Sequence, residues 1–242
     1  MAPRSPLLGD PRWALFVLVF GVYAYFYQGG GWNQNSRFDL TRAIVEQGTA
    51  CIDAYEFNTG DKARVNGRYY CDKAPGVSFL AVPVYAAFHP IAEGQRPKAR
   101  LVTRAAYLAT LLVVSLPSAL AAVVLVTLGT AFGWSRREAT ALALAWAFGT
   151  MAFPYSTLFY GHQLAAALSL AAFALLIWLR QVAPLSPSNS RWLALIGLLL
   201  GATVAVEYPP ALAVAVLLGY AALTVRPWPR LLWLLAGMIP PV

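Results

Sequence analysis

The chain has 242 residues, of which 59% are hydrophobic and only 12% charged, with a formal net charge of +8. Ordinary soluble domains carry roughly 25% charged residues, so this composition excludes that class and predicts an all-α polytopic membrane protein. The basic excess does not indicate nucleic-acid binding, because the arginines and lysines gather at the ends of apolar runs, where they report topology.

Apolar runs occur at 13–30, 105–131, 139–153, 161–179, 192–206, 211–225 and from 231 onward, each close to the ~20 residues or fewer that a helical span requires. They lack the alternation of barrel strands. About seven transmembrane helices are therefore predicted, with a large external first loop carrying juxtamembrane helices. Arg4 and Arg12 precede the first run, and no small-x-small cleavage site occurs before Gly29. Residues 1–30 thus read as an N-terminal tail and uncleaved first span.

Residues 31–103 form the predicted external loop. "SRFDLTRAIVEQG" places Phe38, Ile44 and Val45 at helical spacing, with Leu40 on a neighbouring face and Gly48 as C-cap, which predicts a short amphipathic helix lying flat on the surface. "NTGDKARVNGRYYCDKAPG" is rich in turn residues. The apolar stretch 77–92, with Pro83 and Pro90, reads as a second interfacial helix. Were it to cross, Arg136, Arg137, Arg180, Arg191, Arg226 and Arg230 would all fall in short outside loops, against the positive-inside rule. "EGQRPKAR" then returns the chain to the bundle, 104–242, where Pro117 is expected to kink a long helix and "PLSPSN" forms a polar inside loop. The sequence stops at "LLWLLAGMIPPV", twelve residues into the last run, which predicts a truncated final span. Cys51 and Cys71 both fall in the external loop, as a disulfide or as two unrelated thiols.

Polar chemistry collects on the external side: Asn33, Gln34, Arg37, Asp39, Arg42, Asp53, Asp61, Lys62, Arg68, Asp72 and Lys73, joined by His162 in "YGHQ" and Glu207 in "VEYPP". Lys73, just before Ala-Pro-Gly, is either a lipid-phosphate ligand at a helix start or a snorkelling lysine. Asp39 is either a general base or metal ligand, or a solvated carboxylate. His162 reads equally as a proton shuttle and as part of an aromatic belt with Tyr155, Phe159 and Tyr160. Glu207, between two apolar runs, is costly to retain unless its turn reaches water. No P-loop, GxGxxG, HExxH or Cys-x-x-Cys occurs. With only His89 and His162, a histidine-rich metal site is excluded; a carboxylate-held divalent cation is compatible with the chain, but no spacing indicates one.

The order of these pieces resembles the membrane-embedded glycosyltransferases of family 39, the protein mannosyltransferase-like and aminoarabinose-transferase-like enzymes with the C-type fold. The resemblance rests on one span, the "SRFDLTRAIVEQGT" helix, "GRYYCDKAPG" in place of a Lys-Pro-Pro motif, "LPSAL" and "FGWSRREATALALAWAFGT". It implies inverting transfer of a sugar from a polyprenyl-phosphate-linked donor to an acceptor at the external face of a bacterial inner membrane. It also implies that Lys73 contacts the lipid phosphate. Asn33 and Gln34 stand where the family carries an acidic base, so the catalytic role falls to Asp39, Asp53 or Asp61, with Arg37, Asp72, Tyr69, Tyr70, His162 and Glu207 as substrate-binding candidates. Two rival readings share the composition: a lipid or solute transporter, and a non-catalytic lipid-binding or assembly protein.

Overall fold

The structure is a computed structural model that describes residues 10–93, 98–182 and 190–241. Arg4, residues 94–97 of the return segment and the "PLSPSN" loop lie outside these residues.

Helix α1 (Pro11–Tyr25) starts where Asp10 accepts from the Arg12 N–H at 3.0 Å and proline takes the first helical position. Its inward face, Leu15, Val19 and Tyr23, packs against Ala119, Ala122 and Val126 of α5 (Leu116–Ala131) and against Ala139, Ala143 and Ala147 of α6 (Arg136–Gly149). Alanine at every fourth position of α6 lets the helices approach closely. The Tyr23 hydroxyl donates to the Ala147 carbonyl at 3.1 Å, tying together the C-terminal ends of α1 and α6.

Helix α4 (Lys98–Thr110) runs into α5 through a wide π-turn at Leu111–Ser115. Pro117 has no N–H to give, and the turn just before it absorbs the lost hydrogen bond. A π-turn thus lies just upstream of the proline where the sequence predicts a kink. The Ser115 hydroxyl there donates to the Ser156 carbonyl, 2.7 Å away on the short helix α7 (Ala152–Ser156). Helices α8 (Gly161–Val182), α9 (Ser190–Val206), α10 (Ala211–Thr224) and α11 (Leu231–Met238) complete the bundle. Side chains at Gly197, Gly201 and Gly237 would collide with the facing backbone of α9 or α11, so this pair meets backbone to backbone.

The all-α prediction describes the bundle, but seven spans are not supported. Two helices, Val102–Ala131 with 30 residues and Gly161–Gln181 with 21, are long and apolar enough to cross a membrane. The helices formed at the other runs are shorter. Helix α1 has 15 residues, α6 has 14, α9 has 17, α10 has 14 and α11 has 8. At 1.5 Å per residue even α9 reaches only about 26 Å, short of a hydrocarbon core of roughly 30 Å. Turns cut these runs: Thr150 is extended after α6, and Val225 after α10.

Between α1 and α4 lies a polar layer. Helix α2 (Trp32–Gln47) ends at Gly48, whose φ of 65° and N–H to Ala43 and Ile44 carbonyls form the C-cap. It does not lie flat on a surface. Gln34, Ser36 through Thr41, and Ala43 are all buried, so its middle turns are enclosed, while Trp32, Glu46 and Gln47 at its ends are exposed. It is followed by strands β1 (Lys62–Val65) and β2 (Arg68–Cys71), an antiparallel hairpin pairing Val65 with Arg68. Asn66 and Gly67 make its turn with φ of 49° and 82°, the left-handed pair that a two-residue hairpin requires. Helix α3 (Gly76–Glu93) packs on α2 and α4, and its start presses on the end of α9, where a Cβ on Gly76 would stand 2.6 Å from the Ala205 carbonyl. One face of this helix joins the bundle's core, with Val77, Ala81 and Tyr85 buried against Phe38, Ala105, Ala109 and Phe159, while Phe79 and Leu80 on another face are exposed. Cys51 and Cys71 are free thiols.

Helix ends sort by chemistry. At one end, the Gln28 N–H donates to the Thr157 carbonyl at 3.0 Å and Tyr107 to the Ala24 carbonyl at 3.2 Å; His162 and Glu207 stand beside them in the folded chain, next to α2. At the opposite helix ends lie Arg12, Arg136, Arg180 and Arg191. The polar layer and the two short turns thus share one end of the bundle.

Candidate functional site

Helix α2 presents two polar centres on different faces. The first is built on Arg37, 1% exposed. Its Nε donates to Asn33 Oδ1 at 2.9 Å, Nη1 to the Ala74 carbonyl at 3.0 Å, and Nη2 to Glu207 Oε2 at 2.9 Å. The same Glu207 oxygen lies 3.7 Å from His162 Nδ1, and the His162 ring stands edge-on to Tyr155 at 4.8 Å and to Tyr160 at 5.8 Å. Gly161 is required beside it, because a Cβ there would collide with the Glu207 carboxylate. Arg37 is thus held by protein acceptors through all three of its side-chain nitrogens and serves as a clamp among α2, the start of α3 and the α9–α10 turn. The cost of burying Glu207 is offset by this partner.

The second centre is a cavity of about 450 Å³ between α2, the 3₁₀ turn Glu56–Asn58 and α4. Its lining combines polar side chains, chiefly Gln34, Asn35, Asp39, Arg42 and Asn58, with apolar ones, Tyr27, Phe38, Val102, Ala106 and Phe159. Asp39 is 2% exposed. Its Oδ1 accepts from Asn58 Nδ2 at 3.2 Å, while its Oδ2 is buried without any partner. Burial pushes this carboxyl up to about 7, against the opposing pull of the Asn58 hydrogen bond and the Arg42 charge. Arg42 Nη1 lies 3.7 Å from Asp39 Oδ1, longer than a hydrogen bond, because its Nε donates to Glu46 at 3.0 Å and its plane stacks on Tyr55 at 3.9 Å. Glu46 also accepts from Tyr85 at 2.6 Å and Tyr55 at 3.1 Å. Its burial would raise it, but these hydroxyls and Arg42 hold it below the usual range. The result is an Asp39–Arg42–Glu46 row in which one carboxylate is firmly ionised and the other is poised near neutrality. A carboxyl with one oxygen fixed and the other without a partner is suited to accept a proton from a hydroxyl.

Of the catalytic and substrate-binding candidates read from the sequence, Asp39 lines this cavity, beside Gln34 and Arg42 of the external polar group; the other candidates do not. Asp53 is exposed and its Oδ1 accepts from the Tyr69 N–H at 2.7 Å, fastening the hairpin. Asp61 and Asp72 hold Lys73 at 3.2 Å and 3.3 Å. These hydrogen bonds raise the Lys73 ammonium despite its partial desolvation. Tyr69 carries the Lys62 and Arg64 cations on its ring at 4.8 Å and 5.4 Å, and Tyr70 pairs with Ala63 and bridges to Cys51. Arg37, His162 and Glu207 form the separate clamp. Asn58, Asn35 and Tyr27 are the cavity residues that sequence reasoning missed; Asn58 offers no signal beyond opening the turn "NTG". Among the described residues no three His, Cys, Asp or Glu side chains gather to hold a metal ion, so no step is routed through a divalent cation. Comparison with protein-family models, with curated proteins and with solved structures finds no match for this chain.

Proposed function

We propose that the protein is a membrane glycosyltransferase that draws on a polyprenyl-phosphate-linked sugar and acts at the polar end of its bundle, on the external side of a bacterial inner membrane. The observation that carries this reading is Asp39: a buried carboxyl poised near neutral pH, with an unpartnered oxygen, in a cavity lined by both polar and apolar side chains. In the reaction, Asp39 Oδ2 takes the acceptor's hydroxyl proton as the acceptor oxygen attacks the anomeric carbon. The bond from that carbon to the phosphate oxygen breaks, and polyprenyl phosphate leaves with the electron pair. The apolar lining residues suit an isoprenoid and the polar ones a sugar. Arg42 is the cation within the cavity; Lys73 takes a role at the phosphate only by leaving Asp61 and Asp72.

The test is transfer from a polyprenyl-phosphate-linked, radiolabelled sugar by the purified full chain in nanodiscs, with an envelope extract supplying acceptors. Asp39→Asn is expected to slow release of polyprenyl phosphate by about 10²–10⁴-fold. An unchanged rate in Asp39→Asn removes Asp39 as the base. Native mass spectrometry adds the binding half: selective retention of polyprenyl phosphate over a control phospholipid supports the reading, and equal retention of both overturns it.

A further inference from the structure

The cavity holds a second orphan beside the first. Asn58 Oδ1, like Asp39 Oδ2, is buried with no hydrogen-bond partner. Reversing the Asn58 amide would set its oxygen against the Asp39 carboxylate. Its Nδ2 is committed to Asp39 Oδ1 at 3.2 Å, and its main-chain carbonyl is held by Asn35 Nδ2 at 2.8 Å. The two orphans are the geminal partners of the two atoms in that single Nδ2–Oδ1 hydrogen bond. They therefore both lie near that bond, on residues that both line the cavity.

Two neighbouring acceptors call for two neighbouring donors. A phosphate or carboxylate supplies none. An ammonium group would add a cation where the Arg42 guanidinium already stands 3.7 Å from Asp39. A serine or threonine acceptor brings one hydroxyl and leaves the other orphan unsatisfied. Adjacent hydroxyls on one ring satisfy both. We propose that the acceptor seat is built for a vicinal diol, one hydroxyl on Asp39 Oδ2 and its neighbour on Asn58 Oδ1, so that the acceptor is a carbohydrate rather than a protein side chain or a lipid phosphate. This rests on the glycosyltransferase reading, and the hydroxyl on Asp39 is the one that reacts.

The experiment is ligand-observed NMR on the full chain in nanodiscs, using a methyl hexopyranoside and its deoxy analogues as probes, with native mass spectrometry of polyprenyl phosphate on the same samples. The expected result is saturable binding of the hexoside, at least tenfold weaker for the analogue lacking one of the adjacent hydroxyls and for Asn58→Leu. Polyprenyl phosphate binding is expected to remain in that variant, and hexoside binding to persist when the polyprenyl-phosphate-linked sugar is added. Equal binding of hexoside and deoxy analogue by the unaltered protein overturns the diol seat without any variant having to fold. Competition by the lipid-linked sugar overturns the assignment to the acceptor. Retention of polyprenyl phosphate with no hexoside binding overturns the seat and leaves the transferase reading standing, whereas loss of both overturns that reading as well.

Discussion

Arg37 and Glu207 lie 170 positions apart in the chain and meet at 2.9 Å, the arginine 1% exposed and the carboxylate 13%. Removing one partner of such a pair leaves the other charge buried and uncompensated, at a cost of about 3–5 kcal/mol. Arg37→Ala is expected to lower the thermal midpoint strongly, and Glu207→Gln less, because Glu207 keeps some access to water. Arg37→Met combined with Glu207→Leu should cost clearly less than the sum of the two single changes. A double-mutant cycle by thermal unfolding in detergent checks this, and additivity of the two losses would show that the pair does not clamp the helices.

Gly76 and Gly161 hold the same junction open. A Cβ on Gly76 would sit 2.6 Å from the Ala205 carbonyl group, and one on Gly161 would meet the Glu207 carboxylate and the Val206 carbonyl. Gly76→Ala meets rigid backbone and is expected to cost about 1–3 kcal/mol. Gly219→Ala has open space within helix α10, and should stabilise by about 0.5–1 kcal/mol through helix propensity. Unfolding midpoints of the two variants should therefore move in opposite directions.

Asp39 links stability to pH. Its folded value is raised from 3.8 to about 7 by burial, so the folded state binds the proton more tightly than the unfolded chain. The stability this provides is fully present below about pH 4 and is lost as pH rises through 7, by up to about 4 kcal/mol. Asp39→Asn removes the ionisation and should raise the unfolding midpoint more at pH 8 than at pH 5. A uniform shift across that range would mean that Asp39 is not titrating between the two states.

Lys73 is the counter-case. It is about one-quarter exposed and shares its charge with Asp61 and Asp72 near the hairpin. Pairs of this kind contribute at most about 1 kcal/mol, so Lys73→Ala should leave the unfolding midpoint nearly unchanged while Arg37→Ala does not. A comparable loss from both would place Lys73 within the structural core of the polar layer.

Local signals in the sequence reported local structure. Gly48 ends α2 in the left-handed conformation that its position after "IVEQ" predicts, and Asp39 was legible as a candidate because few carboxylates occur in so apolar a chain. The hairpin was missed although "NG" at 66–67 is a strong turn signal; its flanks, "KARV" and "RYYC", carry charges where alternating apolar residues would be expected. The span count failed because apolar composition runs on through turns such as Thr150 and Val225 that end the helices. The burial of Arg37 and the orphan on Asn58 depend on partners 170 and 19 positions away, which no local window contains.

Glu46 sets how Asp39 titrates without lining the cavity itself. It draws the Arg42 guanidinium to 3.0 Å and so leaves Asp39 with the same cation at 3.7 Å. Its own negative charge also raises Asp39. Glu46→Gln weakens the hold on Arg42 and removes that charge, and both effects favour ionised Asp39. The acid limb of the pH–rate profile is therefore expected to move to lower pH, with little change in the plateau. Tyr85→Phe removes a 2.6 Å hydrogen bond to Glu46 but keeps the charge, so it should shift the limb much less. If both variants lower the plateau and leave the limb in place, Glu46 acts on packing alone and the Asp39–Arg42–Glu46 row does not tune the base.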